Sequence, residues 1–125
     1  MKTNCYCGST LSFNFCCETF ITKISLPKHP EQLMRSRYSA YVLHNADYLI
    51  ATTHHSKRKF FDKKEILHWA KANTWIKLEI LKAEENQVEF KAYYLDERLQ
   101  AQIHHEKSTF KQEKDIWYYV DGIFY

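Results

Sequence analysis

Four cysteines fall within the first seventeen residues, as Cys5-Tyr6-Cys7 and Cys16-Cys17, and none follows them. Thiolates are soft donors, and four of them meet the tetrahedral demand of zinc without leaving a position for water. A zinc ion in such a set is structural rather than catalytic. Gly8 comes directly after the first pair. A residue free to adopt positive φ lets the chain fold back, so that backbone N–H groups approach the sulfurs. Phe13 and Phe15 can pack over the loop and restrict water. A segment this short builds no core, so metal capture would be its main source of order. Two disulfides, such as Cys5–Cys16 with Cys7–Cys17, are the oxidised alternative, and four inert buried thiols another. A redox role is disfavoured because the C-x-x-C spacing is absent.

The second set of candidates lies on a run with period-two spacing. Gln102, His104, Glu106, Ser108 and Phe110 alternate, so they share one strand face, and His105 points the other way. A histidine and a carboxylate on one face can form an acid–base pair or share a ligand. Arg35, Arg37, Tyr38 and Tyr41 could add an anion contact or phenolic donors from a helix. The plainer expectation is that Glu106 pairs with a helix arginine and locks helix to sheet. The pocket reading names Arg35, Tyr38, His104 and Glu106. His54-His55 and His104-His105 raise a second metal, but strand neighbours face opposite sides, which predicts surface or pocket-edge histidines instead. No catalytic residue is assigned: no serine elbow and no cysteine outside the quartet offers an activated nucleophile.

These groups need elements to hold them. Pro30 and Glu31 open a helix over 31–44, with Leu33, Met34, Tyr38, Tyr41 and Val42 on one face and Arg35, Ser36 and Ser39 mostly opposite. A short helix follows over about 47–53. Asp62-Lys63-Lys64-Glu65 resembles a capping box and starts a third helix that ends at Asn73. The pattern then alternates: Ile76, Leu78 and Ile80 against Lys77 and Glu79, then Val88, Phe90, Ala92 and Tyr94. Runs over 98–110 and 116–121 complete four strands. Turn signals lie at 84–86, 96–97 and 112–115, and short connections of this kind imply an antiparallel meander. Arg58–Phe61 could add a short strand. Helices followed by a meander give an α+β fold, with helices on one face of a curved sheet. The composition shifts near residue 25, which divides the chain into a metal-binding segment with its linker, 1–25, and an α+β domain, 26–125.

Bulk composition narrows the partners. The chain has 125 residues, 45% of them apolar and 16% aromatic, enough for one core. A zinc ion held by four thiolates carries a net −2, which takes the formal +3 to +1. That balance disfavours nucleic acid, and the Lys57-Arg58-Lys59 and Lys63-Lys64 groups read as solvated loops. No apolar run is long enough to span a bilayer and no secretory leader is visible, so a reducing cytoplasm is expected.

Cys5-x-Cys7-Gly8-Ser9 followed by Cys16-Cys17 resembles the SEC-C motif, the zinc-binding tail of the bacterial preprotein translocase ATPase, where it serves as a docking element. The family carries a glycine and lysines after the Gly-Ser pair; here Thr10–Phe15 has no basic residue. The rest is similar to the YchJ family of uncharacterised bacterial proteins. The segments that carry the similarity are Leu33–Tyr41, Ala46–Leu49, Trp75 with Leu78–Leu81, Val88–Ala92, His105-Glu106-x-Ser108-x-Phe110 and Trp117–Gly122. The resemblance implies a cone-shaped domain like nuclear transport factor two, with helices in the mouth of the curved sheet. It implies no activity. Zinc would be the cofactor, and a protein partner docking at the knuckle is the first functional expectation. A small-molecule binder or enzyme using the cone is the alternative, and a homodimer through the outer sheet face stays open.

Overall fold

The computed structural model describes residues 4–125 of the chain. A 3-10 turn at Phe13–Phe15 leads into helix α1, Cys17–Ile21. Helix α2 spans Pro30–Val42, α3 Ala46–Ala51 and α4 Lys63–Ala72, with a 3-10 turn at His55–Phe60 before α4. Four strands follow: β1 Thr74–Glu84, β2 Gln87–Leu95, β3 Ala101–Glu113 and β4 Ile116–Phe124. They form one antiparallel sheet in chain order. The α+β cone expected from the sequence is therefore the fold, with the cysteine segment leading into it.

Local chemistry accounts for the boundaries. Pro30 occupies the first turn of α2, where its missing N–H costs nothing. The Asn45 side chain caps α3 through the Tyr48 N–H, and Asp62 caps α4 through the Lys64 N–H. The β3–β4 hairpin closes on Lys114-Asp115, both with positive φ, in the sense that a tight right-twisted hairpin demands. β3 therefore runs three residues beyond the 110 expected. The expected strand at Arg58–Phe61 is instead the 3-10 turn. Thr53 makes the edge contact, a parallel bridge to Tyr119. The linker expected after the cysteines, within 1–25, begins with α1.

Three bulges break the simple alternation. On β1, Trp75 opposes Tyr94 but Lys77 opposes Tyr93, so Ile76 is an extra residue; Leu81 is extra in the same way. Ile76, expected inward, is 56% exposed, and Trp75 takes the inner place. On β4, Phe110 opposes Tyr119 while Thr109 opposes Asp121, leaving Val120 as the extra residue. That bulge turns both Tyr119 and Gly122 toward Glu106 although they are three apart.

Helix α2 is the hub. Leu33, Met34 and Tyr38 join Leu78, Val88, Phe90, Ala92 and Phe110 in the core. Ser36 and Ser39 of its expected polar face are buried too, both at 0% exposure, as is Arg37 at 5%. The cause is that α2 has neighbours on every side. Ser36 shares a hydrogen bond of 2.6 Å with the Tyr48 hydroxyl of α3, and Ser39 faces Cys5.

Candidate functional site

The four sulfurs converge. Cys7 Sγ lies 3.7 Å from Cys16 Sγ, Cys16 Sγ lies 4.0 Å from Cys17 Sγ, and all four are within 4.8 Å of one another. Zinc at about 2.3 Å from each of four sulfurs would set a tetrahedral edge of about 3.8 Å. The spacing fits that ion, and the donor set fits a soft or borderline divalent metal. All four are free thiols, so neither disulfide alternative is formed.

The local backbone explains the convergence. Gly8 holds φ +89, the left-handed region, and its N–H donates to the Cys5 carbonyl. The Cys5 N–H donates to the Leu11 carbonyl, closing the loop. Ser9 Oγ lies 3.1 Å from Cys16 Sγ, a hydroxyl placed to support a thiolate. Arg35 Nη1 donates to the Cys7 carbonyl at 2.7 Å while its Nε donates to Glu31. Contact with Cys5 and Cys7, then burial, pushes the Cys17 thiol up, and the same hydrogen bonds hold Cys5 below the ordinary thiol range. A bound cation would replace the proton they share. Cys5, Cys7 and Cys17 also belong to the main core with Leu33, Met34 and Tyr38. The knuckle is thus packed on α2, not held out as an independent tip.

The second site is a cavity of about 160 Å³ between the helices and the sheet. Tyr38 and Tyr41 from α2, Trp69 from α4, Trp75 from β1 and Phe90 from β2 supply an aromatic wall. Trp69 packs edge to face against both Trp75 and Tyr41, with centroids 5.0 and 5.7 Å apart. His104, Glu106 and Ser108 on β3, with Arg37 and Tyr119, supply its polar side, and Met34, Phe61, Ala92 and Phe124 complete the lining.

Glu106 is 6% exposed and fully engaged. His104 Nε2 lies 2.7 Å from its Oε1, while Ser108 Oγ and Tyr119 Oη donate to Oε2 at 2.6 and 2.7 Å. Burial opposes ionisation, but these three donors outweigh it and hold the carboxyl below its ordinary range. Burial, then the neighbouring carboxylate, pushes the Tyr119 phenol up, so Tyr119 stays a donor. Burial likewise pushes Tyr38 up to about 12. The carboxylate also needs Gly122. A Cβ there would lie 2.6 Å from Glu106 Cδ and 2.8 Å from Cγ.

Of the four pocket residues read from the sequence, Tyr38, His104 and Glu106 line the cavity. Arg35 does not; it braces the knuckle, because its position on α2 faces Cys7 rather than the sheet. The expected Glu106–arginine lock is not made either. Arg37 donates to the Leu49 carbonyl and Thr52, and its guanidinium stacks 4.4 Å over the Tyr119 ring. Gly122 lies one residue past the run expected over 116–121, yet inside β4, where a glycine marks a close approach. His104 and His105 do face opposite sides, His105 pairing with Glu89. His54 and His55 begin a 3-10 turn rather than share a strand; His55 lies on the surface as expected, and His54 departs from the expectation. His54 is buried, and both rings turn to Glu113, at 2.7 and 3.5 Å. The three donor atoms lie within 4.8 Å of one another. The close His54–Glu113 bond ties this turn to the end of β3.

No helix among the described residues is long and apolar enough to cross a membrane.

The family model described as the middle, NTF2-like domain of YchJ matches residues 29–122. A UPF0225 protein of Haemophilus influenzae is 42% identical over 123 residues, covering 94% of this chain and 76% of that protein. A UPF0225 protein of Geobacter sulfurreducens is 39% identical over 129 residues, covering 98% and 80%. The solution structure of a SEC-C motif containing protein from Rhodopseudomonas palustris superposes with a TM-score of 0.89 at 33% identity, covering 97% of this chain and 98% of that one. The crystal structure of a SEC-C motif containing protein from Psychrobacter arcticus gives 0.76 at 30% identity, covering 94% and 80%. Sulfur cluster, cone and relatives agree, and the chain belongs to the YchJ family, the UPF0225 proteins.

Proposed function

We propose that this protein is a zinc-stapled cone that binds a small organic molecule between its helices and its sheet. The observation that carries the reading is Glu106: a buried, ionised carboxylate held by three donors at one side of an aromatic cavity. Burying a charge is costly unless it is hydrogen-bonded, and a strand glycine weakens a sheet. A fold needing only a core would place apolar side chains at both positions. Polar groups converging in an apolar cavity are the usual form of a ligand site. Binding rather than turnover is favoured, because the lining offers no activated nucleophile. The four cysteines would hold zinc as a structural ion, the reading that their spacing and sulfur chemistry support.

A fragment screen on the zinc-loaded chain, with binding mapped by NMR, tests the pocket. Hits should shift the Trp69 and Trp75 indole signals; hits that map elsewhere, or none at all, refute it. Metal analysis of protein purified without added chelator tests the ion, with one zinc per chain expected.

A second reading, docking to a protein partner, rests on Leu11 and Phe15. They lie in the loop between the cysteine pairs and are 54% and 68% exposed. A pull-down that recovers the same partners with Leu11→Ser/Phe15→Ser as with the native chain argues against it.

A further inference from the structure

The cavity is small enough for its size to select a ligand. Its volume is about 160 Å³, and an apolar cavity of about 150 Å³ accepts one benzene molecule. A single ring fits; a fused and substituted ring system would extend past the enclosed space into the open mouth. Ring edges and faces form the aromatic wall, which favours a flat, apolar body. The polar side carries one carboxylate, Glu106, and one guanidinium, Arg37, whose charges offset. A ligand with net charge would lose its hydration without a free counter-charge to replace it.

What that side lacks is a donor for one acceptor. Glu106 is ionised and can only accept, so the His104 nitrogen 2.7 Å away, Nε2, must carry the hydrogen. In the neutral ring Nδ1 is then the acceptor. It has no hydrogen-bond partner among the described residues, and it is reachable, since no buried polar side-chain atom among them is left unpaired. His104 lines the cavity beside Phe90 and Phe124.

We propose, resting on the pocket reading above, that the cone takes a neutral single-ring aromatic molecule bearing one O–H or N–H donor, a ligand of the phenol class. Its donor is received by Nδ1 of His104, and its ring lies among the aromatic walls. Glu106 acts through His104 by fixing the tautomer, and Gly122 positions Glu106.

The probes are phenol, benzene and benzoate, titrated into the zinc-loaded full chain and followed by NMR. A hydrogen bond to an acceptor that has no partner in the protein should favour phenol over benzene by about threefold to tenfold. Benzoate should bind most weakly. In His104→Phe, benzene should still bind and the preference for phenol should vanish. A long-range proton–nitrogen spectrum of the native chain gives a readout that needs no variant: Nδ1 of His104 should report as the bare nitrogen and shift when phenol is added. Equal binding of phenol and benzene by the native chain overturns the ligand class and leaves the pocket standing. Failure of both to bind overturns the pocket as well. A preference that survives in His104→Phe, or a protonated Nδ1 in the neutral ring, overturns the assigned acceptor.

Discussion

Gly122→Ala is the sharpest probe of whether the fold is built around the Glu106 carboxylate. In an ordinary strand this change is mildly favourable, since alanine loses less backbone freedom than glycine, by roughly 0.5–1 kcal/mol. Here the new Cβ would meet Glu106 Cδ at 2.6 Å and Cγ at 2.8 Å, far inside van der Waals contact, and Oε2 closer still. The carboxylate must move by on the order of 1 Å to restore contact distances near 3.5 Å. Oε2 would then lose the Ser108 and Tyr119 hydrogen bonds, now 2.6 and 2.7 Å. Overpacking a core costs about 1–3 kcal/mol, and each hydrogen bond to a charged group contributes about 1.5–3 kcal/mol. With partial relaxation, and after the gain from alanine, the expected net loss is about 2–4 kcal/mol. Urea denaturation of the zinc-loaded chain measures it, with the midpoint falling and the slope unchanged. The same substitution in a Glu106→Ala background should cost little, because the group that clashes is absent. A Gly122→Ala chain as stable as the native one, or an equal loss in both backgrounds, would refute the reasoning.

Other expectations follow from the same geometry. Glu106 is held below its ordinary carboxyl range, so its stabilisation is fully present above the unfolded value, about pH 4.3, and is lost as pH falls through the lower folded value. The difference in stability between native and Glu106→Gln chains should therefore shrink below about pH 4.5; a difference independent of pH across that range contradicts an ionised Glu106. Chelating the metal should cost the whole fold and not only its first residues, because Cys5, Cys7 and Cys17 share a core with Leu33, Tyr38 and Phe90. NMR spectra of the chelated protein that keep native β1–β4 signals would disprove this. Arg35→Met should weaken metal retention, through loss of the bond to the Cys7 carbonyl, with a stability cost of about 1 kcal/mol; a competition assay against a zinc indicator reads it. His54→Ala should release the 55–60 turn from β3, seen as faster amide exchange there, and unchanged exchange would show that the pair is incidental.

The cysteine quartet, the four-strand meander and the α+β class were legible in the amino-acid order because each rests on local rules. Sulfur donors need only be close along the chain with a glycine to turn it, and alternation over β2 marks Val88, Phe90 and Ala92 as inward with no knowledge of neighbours. His104 and Glu106 share a face for the same reason. What the order did not disclose depends on groups far apart in the chain. The extra residues Ile76 and Val120 reverse the facing of their strands, and a bulge is a matter of register between two strands rather than a property of one. Arg35 and Arg37 are two apart on one helix. Only the packing of α2 between knuckle, α3 and sheet sends one to Cys7 and the other to Thr52 and Tyr119. Gly122 stands empty because a carboxylate sixteen positions earlier occupies the space its side chain would fill. Sequence determines what each residue can do over a few bonds; tertiary structure decides which groups meet, because burial and register are set by the whole chain at once.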